Sequence, residues 1–327
     1  MSISGSGGSA DLYITDRCGF NCQHCFLGNQ LNSGQVMSVE EVRGIVAYLK
    51  DADYSEITLL GGEPFQHPYL AEIAQEVESA GLKCRIITNG YRQAHRLLGA
   101  GILSRNIELA FSVDGGHSAV HDAIRREGSF AQLAETSRLA LEMGYSISAI
   151  ISVSAQNVGN IWGTLGFCDE VGYQQLTVHH VTARGNAAQD SVLGNAEWDV
   201  VQKVVSKFSA ATAMRIRCED PFFSLQPESP LRCAVRDQSN MMFFPDGRVY
   251  SCLLFIDVEG GNSSFWNGKE VVRTSPAQGE LAACLGSEAI FSCPAVGSME
   301  NSLYPASHSP RIRCIYDKVL FEPSAAM

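Results

Sequence analysis

The chain has 327 residues, 45% of them hydrophobic and 18% charged, the balance of a globular protein long enough for one large domain or two. Its net charge of −11 argues against a nucleic-acid partner, and no apolar run approaches the roughly 20 residues of a membrane span. Eleven cysteines without a secretory signal point to metal or redox chemistry in a reducing, cytoplasmic compartment rather than to structural disulfides.

Met1 to Ala10 is rich in serine and glycine and reads as a flexible tail. Leu12 to Thr15 is the first strand candidate, followed closely by Cys18, Cys22 and Cys25. Ser38 can cap a helix with Glu40 and Glu41 in its first turn and Val42, Ile45, Val46 and Leu49 at helical spacing. Ile57 to Leu60 predicts a second strand, ended by Gly61-Gly62-Glu63-Pro64. A helix over roughly Tyr69 to Ala80 stops at Gly81, and the strand Cys84 to Thr88 runs into Asn89-Gly90. After a further helix comes a strand over Ile107 to Val113, ending in Asp114-Gly115, then a helix over Ser129 to Met143. A strand (Ser146 to Val153), a helix (Ile161 to Val171) and a strand (Leu176 to Val181) complete about six strand–helix units. Such a rhythm predicts a parallel sheet, in which chemistry gathers at the carboxyl ends of the strands. The unusual segments all fall there, from the cysteine loop to His179 through Arg184.

After about residue 215 the rhythm breaks. Prolines and glycines multiply, and Cys233, Cys252, Cys284, Cys293 and Cys314 are spread over the remainder. The division expected is a tail (1–10), an α/β domain built as a partial (β/α)6 barrel (11–215) and a small loop-rich domain held by metal (216–327).

Three thiols within eight residues can hold three corners of a cubane iron–sulfur cluster and leave the fourth iron open. The rival reading is half of a zinc site, for which His24 is the one further ligand nearby. The spacing of Cys18, Cys22 and Cys25 resembles the CxxxCxxC signature of the radical S-adenosylmethionine (SAM) superfamily. The likeness extends through Gly61-Gly62-Glu63-Pro64, Thr88-Asn89-Gly90, Ser112-Val113-Asp114-Gly115 and His121 to Arg126. The resemblance implies a 4Fe–4S cluster on the three cysteines, with SAM chelating the open iron. It also implies that Gly61, Gly62 and Glu63 receive the SAM ammonium and that His24 contacts the adenine. Asn89, Ser112, Asp114 and Arg125 (or Arg126) would complete the pocket at the ribose and carboxylate.

Cys233 and Cys252 bracket Gly247 in the spacing CX13GX4C, similar to the opening of SPASM or twitch domains, which hold auxiliary 4Fe–4S clusters. A full SPASM domain continues as CX2CX5CX3C. Started at Cys284, that pattern meets Ser287, Cys293 and Gly297. Five thiols cannot fully ligate two cubanes, so one auxiliary cluster is expected, on Cys233, Cys252 and two of Cys284, Cys293 and Cys314. Cys84 and Cys168 read as buried apolar thiols, and Met241 to Phe244 as core. Strand alternation lets at most one of His179 and His180 face the barrel interior, as a proton-transfer group or a structural histidine.

The activity implied is reductive SAM cleavage and hydrogen-atom abstraction, most similar to the oxidative cross-linking of ribosomally made peptides. An electron donor such as flavodoxin or ferredoxin is implied too. With a first strand expected at residue 12, leader recognition would fall to a separate protein or to the catalytic domains. The alternatives are a dehydrogenase of a sugar or aminocyclitol and a non-catalytic zinc or cluster-binding module.

Overall fold

The computed structural model describes residues 7–219, 240–252, 256 and 264–273, together with the backbone of 222–223 and 312–313. Seven strands follow one another in parallel: β1 (Gly8–Thr15), β2 (Tyr54–Gly61), β3 (Lys83–Thr88), β4 (Glu108–Ser112), β5 (Ser146–Val153), β6 (Gln175–His180) and β7 (Arg215–Cys218). Between them run α1 (Val39–Asp51), α2 (Leu70–Ser79), α3 (Arg92–Gly99), α4 (Ser118–Ile124), α5 (Ser129–Glu142), α6 (Ile161–Val171) and α7 (Asn195–Ser209). The α/β class and the partial barrel expected from the strand–helix rhythm are therefore observed.

Local chemistry explains the best-defined elements. Ser38 and Glu41 cap α1 reciprocally: the Glu41 N–H donates to Ser38 Oγ, and Glu41 Oε2 accepts from the Ser38 N–H. Val42, Ile45, Val46 and Leu49 then line its buried face. One face of each strand packs under the helices, with Leu12, Ile57, Ile86, Phe111, Ile151 and Val178 all fully buried in one core. The opposite face lines the barrel interior. At its amino end Arg85 pairs with Glu108 (3.1 Å) and donates through Nη2 to Ser148 (3.0 Å), whose hydroxyl donates in turn to Glu108 (2.6 Å). At its carboxyl end the interior is open and carries the site.

The chain also differs from expectation. β1 begins at Gly8 rather than Leu12, and Ala10 is fully buried, so the tail expected to reach Ala10 ends earlier. Backbone pairing with Tyr54, Glu56 and Ile57 orders Gly8 to Ala10 despite their weak strand propensity. At the other end, the expected boundary at 215/216 falls inside β7, which pairs with β6. α7 lies beyond the six expected strand–helix units. It carries Trp198, Val201, Val205 and Phe208 at helical spacing, all buried.

Residues beyond β7 return to the barrel. β8 (Phe222–Phe223) pairs with β13 (Ile312–Arg313) in a separate two-stranded sheet. β9 (Asn240–Phe243) lies parallel to β1 on its free edge, Ser9 opposite Asn240 and Leu12 opposite Phe243. β10 (Arg248–Tyr250), β11 (Ser264–Trp266) and β12 (Val271–Arg273) continue as an antiparallel ribbon, giving eleven strands in one sheet. Met241, Met242, Phe243 and Phe244 are buried, as a core segment should be. Cys84 and Cys168 are likewise buried thiols, and burial pushes both pKa values far up.

Candidate active site: three thiols at the barrel mouth

Cys18, Cys22 and Cys25 sit on the loop after β1, all free and half-buried. They share the wall of a chamber of about 270 Å³ with His24, Gly61, Gly62, Glu63, Asn89, Ser112 and Arg125. Ten of the eleven residues expected at the catalytic end of the barrel thus meet in one space. Asp114 is the exception, standing behind Arg125.

The loop is held from three sides. Cys18 N–H donates to Asn32 Oδ1 (2.9 Å), and Gln23 N–H to the Ile124 carbonyl (3.0 Å). Beneath it, Gly62 N–H donates to the Thr15 carbonyl and Glu63 N–H to the Arg17 carbonyl, both at 2.8 Å. Across the mouth, Asn186 N–H donates to the Cys25 carbonyl (2.9 Å), and Asn186 Nδ2 to the Cys22 carbonyl (3.1 Å). Gly185 makes that approach possible: at φ +59, a Cβ there would stand 2.2 Å from the Cys25 oxygen. Sequence reasoning passed over Asn186, whose one signal is its place after a glycine at a strand end.

Glu63 is a buried hub. Its Oε1 accepts from Phe65 N–H (3.1 Å) and Thr88 Oγ1 (2.8 Å), and its Oε2 from Asn89 N–H (2.8 Å). Burial raises its pKa, opposed by those three hydrogen bonds and by the charge of Arg125. The carboxylate therefore ties the end of β2 to the end of β3.

Arg125 and Arg126, interchangeable in sequence, have separate places. Arg126 lies outside the chamber and donates to the Gly19 carbonyl (2.7 Å). The side chain of Arg125 is 9% exposed; its Nε donates to Asp114 Oδ2 (2.5 Å), and its Nη1 lies 4.0 Å from Cys22 Sγ. Asp114, fully buried, also accepts from Ser152 N–H at Oδ1 (2.9 Å) and lies 3.4 Å from His24 Nε2. Burial alone would raise the Asp114 pKa, but Arg125, His24, His121 and the Ser152 hydrogen bond bring it below the usual carboxylate value. Burial lowers the pKa of His24, so its ring is neutral at neutral pH.

His121, fully buried behind this cluster, accepts from Asp114 N–H at Nδ1 (3.2 Å), while its Nε2 has no partner among the described residues. Burial, helped by the charge of Arg125, lowers its pKa to about 4. Between pH 6.5 and 4 the unfolded chain therefore binds more protons at this site than the folded one, and stability falls with pH. From pH 6.5 to 5 the His121 contribution should cost about 1.5 kcal/mol. Urea unfolding should show that slope, and His121→Gln should flatten it. An unchanged slope would remove His121 as its source.

The thiols fit an iron–sulfur cluster. Burial pushes Cys18 up to about 12, opposed by the Phe20 N–H that donates to its sulfur, and Cys22 up to about 11, opposed by Arg125. Unligated, both are protonated at neutral pH, and a bound cationic centre is needed to make them thiolates. The N–H groups aimed at the two sulfurs suit cluster thiolates. Among the described residues no three of His, Cys, Asp and Glu converge on a single metal ion, which disfavours the zinc reading. A cubane spreads its ligands over separate corners and does not require that convergence.

Residues 12–168 match the family described as the Radical SAM superfamily. That segment is a radical SAM domain. The family uses a 4Fe–4S cluster and SAM. The chain is 24% identical over 277 residues to the antilisterial bacteriocin subtilosin biosynthesis protein AlbA of Bacillus subtilis, covering 82% of this chain and 59% of AlbA. It is 22% identical over 293 residues to the mycofactocin maturase MftC of Mycobacterium ulcerans, covering 83% of this chain and 77% of MftC. Among solved structures, Streptococcus suis SuiB bound to S-adenosylmethionine superposes with a TM-score of 0.66 at 18% identity, over 78% of this chain and 62% of SuiB. The fold is shared, but the chain spans only about three fifths of the length of AlbA and of SuiB.

Of the cysteines expected to hold an auxiliary cluster, Cys252 follows β10 and is buried, whereas Cys233, Cys284, Cys293 and Cys314 lie outside the described residues. His179 and His180 divide as strand alternation requires. His180 faces the helices, its Nε2 on the Leu193 carbonyl (2.8 Å) and its ring edge-on to Trp198. His180 also contributes to the chamber wall beside Ser152, whereas His179 does not; the Nδ1 of His179 meets the carboxylate of Glu219.

Proposed function

We propose that this chain is a radical SAM enzyme that oxidatively modifies a ribosomally made peptide. The observation that carries the reading is the convergence of Cys18, Cys22 and Cys25 with the glycine-rich and polar strand ends on one chamber of a radical SAM domain. When bound, the cluster and SAM supply a 5′-deoxyadenosyl radical that takes a hydrogen atom from the substrate. In this reading Gly61, Gly62 and Glu63 face the SAM ammonium, with Glu63 as the buried brace of that corner. Asn89 and Ser112 face the ribose and His24 the adenine. Arg125 steadies the Cys22 thiolate, and Asp114 positions Arg125 and His24 rather than touching SAM.

A peptide is favoured by the relatives. AlbA takes part in the biosynthesis of a bacteriocin, MftC is a maturase, and SuiB is known in complex with the precursor peptide SuiA. With all of β1 and β7 included, residues 8–218 are read as the catalytic barrel and the residues beyond them as a domain with one auxiliary cluster, ligated by Cys233, Cys252 and two of Cys284, Cys293 and Cys314. Held there, it would supply an acceptor for the electron that the substrate radical must lose to complete the oxidation. A flavodoxin or ferredoxin would supply the reducing electron in the cytoplasm.

The test is anaerobic purification followed by iron analysis. The wild-type protein should be brown and release 5′-deoxyadenosine from SAM under reduction. The triple variant Cys18→Ala/Cys22→Ala/Cys25→Ala should release none while retaining roughly half of its iron, because the auxiliary cluster survives. A colourless, zinc-loaded wild type would end the radical reading, and complete iron loss in the variant would end the auxiliary cluster. Given a short precursor peptide, product masses should show loss of a hydrogen pair per bond formed.

A further inference from the structure

We infer that the outer rim of the cysteine loop is a docking surface for an acidic one-electron carrier. The inference rests on the reading of Cys18, Cys22 and Cys25 as cluster ligands, and it names where the reducing electron enters. The chain as a whole has a net charge of −11, so a cationic patch runs against its overall field. Such a patch borders the first half of the loop.

Arg17 directly precedes Cys18. Arg126, just after α4, reaches the same turn and donates to the Gly19 carbonyl (2.7 Å). The Arg126 guanidinium lies 5.4 Å from the Tyr91 ring, and that of Arg92, the first residue of α3, lies 5.2 Å from the same ring. Arg96 follows one turn along the face of α3 that carries Arg92. All four arginines are exposed, and among the described residues none is ion-paired with a carboxylate. By contrast Arg43, Arg85, Arg125 and Arg248 each have an acidic partner. The carboxylates nearest in sequence do not cancel the rim. Asp16 is buried against Ser33 and Gln35, and Asp122 accepts from the Gly128 and Phe130 N–H groups at the start of α5. Glu127, exposed beside Arg126, leaves the rim positive.

An aromatic pair joins this rim to the chamber. Phe20 is 4% exposed and lines the chamber, and its ring meets that of Tyr91 edge-on at 5.1 Å. Tyr91 is partly exposed and carries both guanidiniums. A carrier seated on Gly19 and Tyr91 would therefore lie against the loop of the first thiol. One electron would pass from the reduced carrier to the cluster, and no proton or group would move. Charge and shape set the occupant. The four guanidiniums are spread along the rim and exposed, so they make no enclosed pocket for a small anion, whereas a broad acidic face matches them. An acidic segment of the substrate peptide is the rival partner.

Stopped-flow reduction of the anaerobic holoprotein tests the surface, with reduced flavodoxin as the acidic carrier and reduced methyl viologen as a small cationic one. Bleaching of the iron–sulfur absorbance is read before SAM is added. Flavodoxin-driven reduction of the wild type should slow at least about tenfold as salt rises from ~0.01 to ~0.1 M, which shortens the screening length from about 30 to about 10 Å. Arg92→Glu and Arg17→Glu should each slow flavodoxin by about tenfold at low salt and not slow methyl viologen. An acid at the first position of α3 suits a helix N-terminus, so Arg92→Glu should fold. Lys203→Glu makes the same charge change on α7, between β6 and β7, and should leave both rates unchanged. Calorimetric binding of oxidised flavodoxin should weaken in step with the rates. Flavodoxin rates that ignore salt and both substitutions, or that fall equally with Lys203→Glu, would overturn the surface. So would loss of peptide modification with flavodoxin reduction intact, which would give the rim to the substrate. A holoprotein without bleachable iron–sulfur absorbance would overturn the cluster reading itself, and the surface with it.

Discussion

Asp114→Asn is expected to lower the stability of the chain by about 3–5 kcal/mol, the cost of stranding a buried charge when its partner is neutralised. The side chain of Asp114 is wholly buried and that of Arg125 is 9% exposed, so solvent cannot take over the lost pairing. An amide would keep the acceptor for Ser152 N–H but turn an N–H2 group toward the Arg125 guanidinium. Urea unfolding at fixed pH measures the loss. The double variant Asp114→Asn/Arg125→Met should recover most of it, because removing both charges removes the desolvation penalty. A loss below about 1 kcal/mol, or no recovery in the double variant, would mean that the pair is not the buried clamp described here. Because Nη1 of the same guanidinium lies 4.0 Å from Cys22 Sγ, the single variant should also load iron less completely.

The second large effect is expected at Gly62, where the end of β2 passes under the cysteine loop. A Cβ on this residue would stand 2.3 Å from the Arg17 carbonyl oxygen and 2.6 Å from its carbon. Both are backbone atoms, so no rotamer change can relieve the clash. The Arg17 carbonyl also accepts the Glu63 N–H, and Cys18 is the next residue along the chain. Gly62→Ala must therefore move the first thiol by the order of an ångström. A displacement of that size costs roughly 10²-fold where reacting groups must be held in line. 5′-Deoxyadenosine release should fall by that factor while the protein stays folded by circular dichroism. Activity within a few-fold of wild type would show that the loop tolerates the shift and that the close approach has no functional weight.

Much of the fold was legible because it rests on periodicity. Expected and observed boundaries coincide for β5 and α6, where buried residues recur at the right intervals between glycine and asparagine punctuation. β7 was hidden because its Arg-Ile-Arg-Cys alternation is short and half polar, and its pairing with β6 orders it. β9 through β12 were hidden for a related reason. Their strands are three or four residues long, and a parallel partner more than two hundred residues away in sequence leaves no local trace.

The site divides in the same way. By itself the sequence determined the chemistry: three thiols at cluster spacing, a glycine pair and a row of polar residues at successive strand ends, all of which a parallel sheet must bring to one rim. Only the tertiary structure decided what each polar residue does, because partners in a barrel come from strands far apart in the chain. It turned Glu63 inward as a brace for the ends of β2 and β3, and placed Arg125 on Asp114 while sending Arg126 outside. It also brought Asn186 across the mouth to hold the Cys22 and Cys25 carbonyls. The three cysteines with which the chain announces its chemistry are positioned by residues that no spacing could have named.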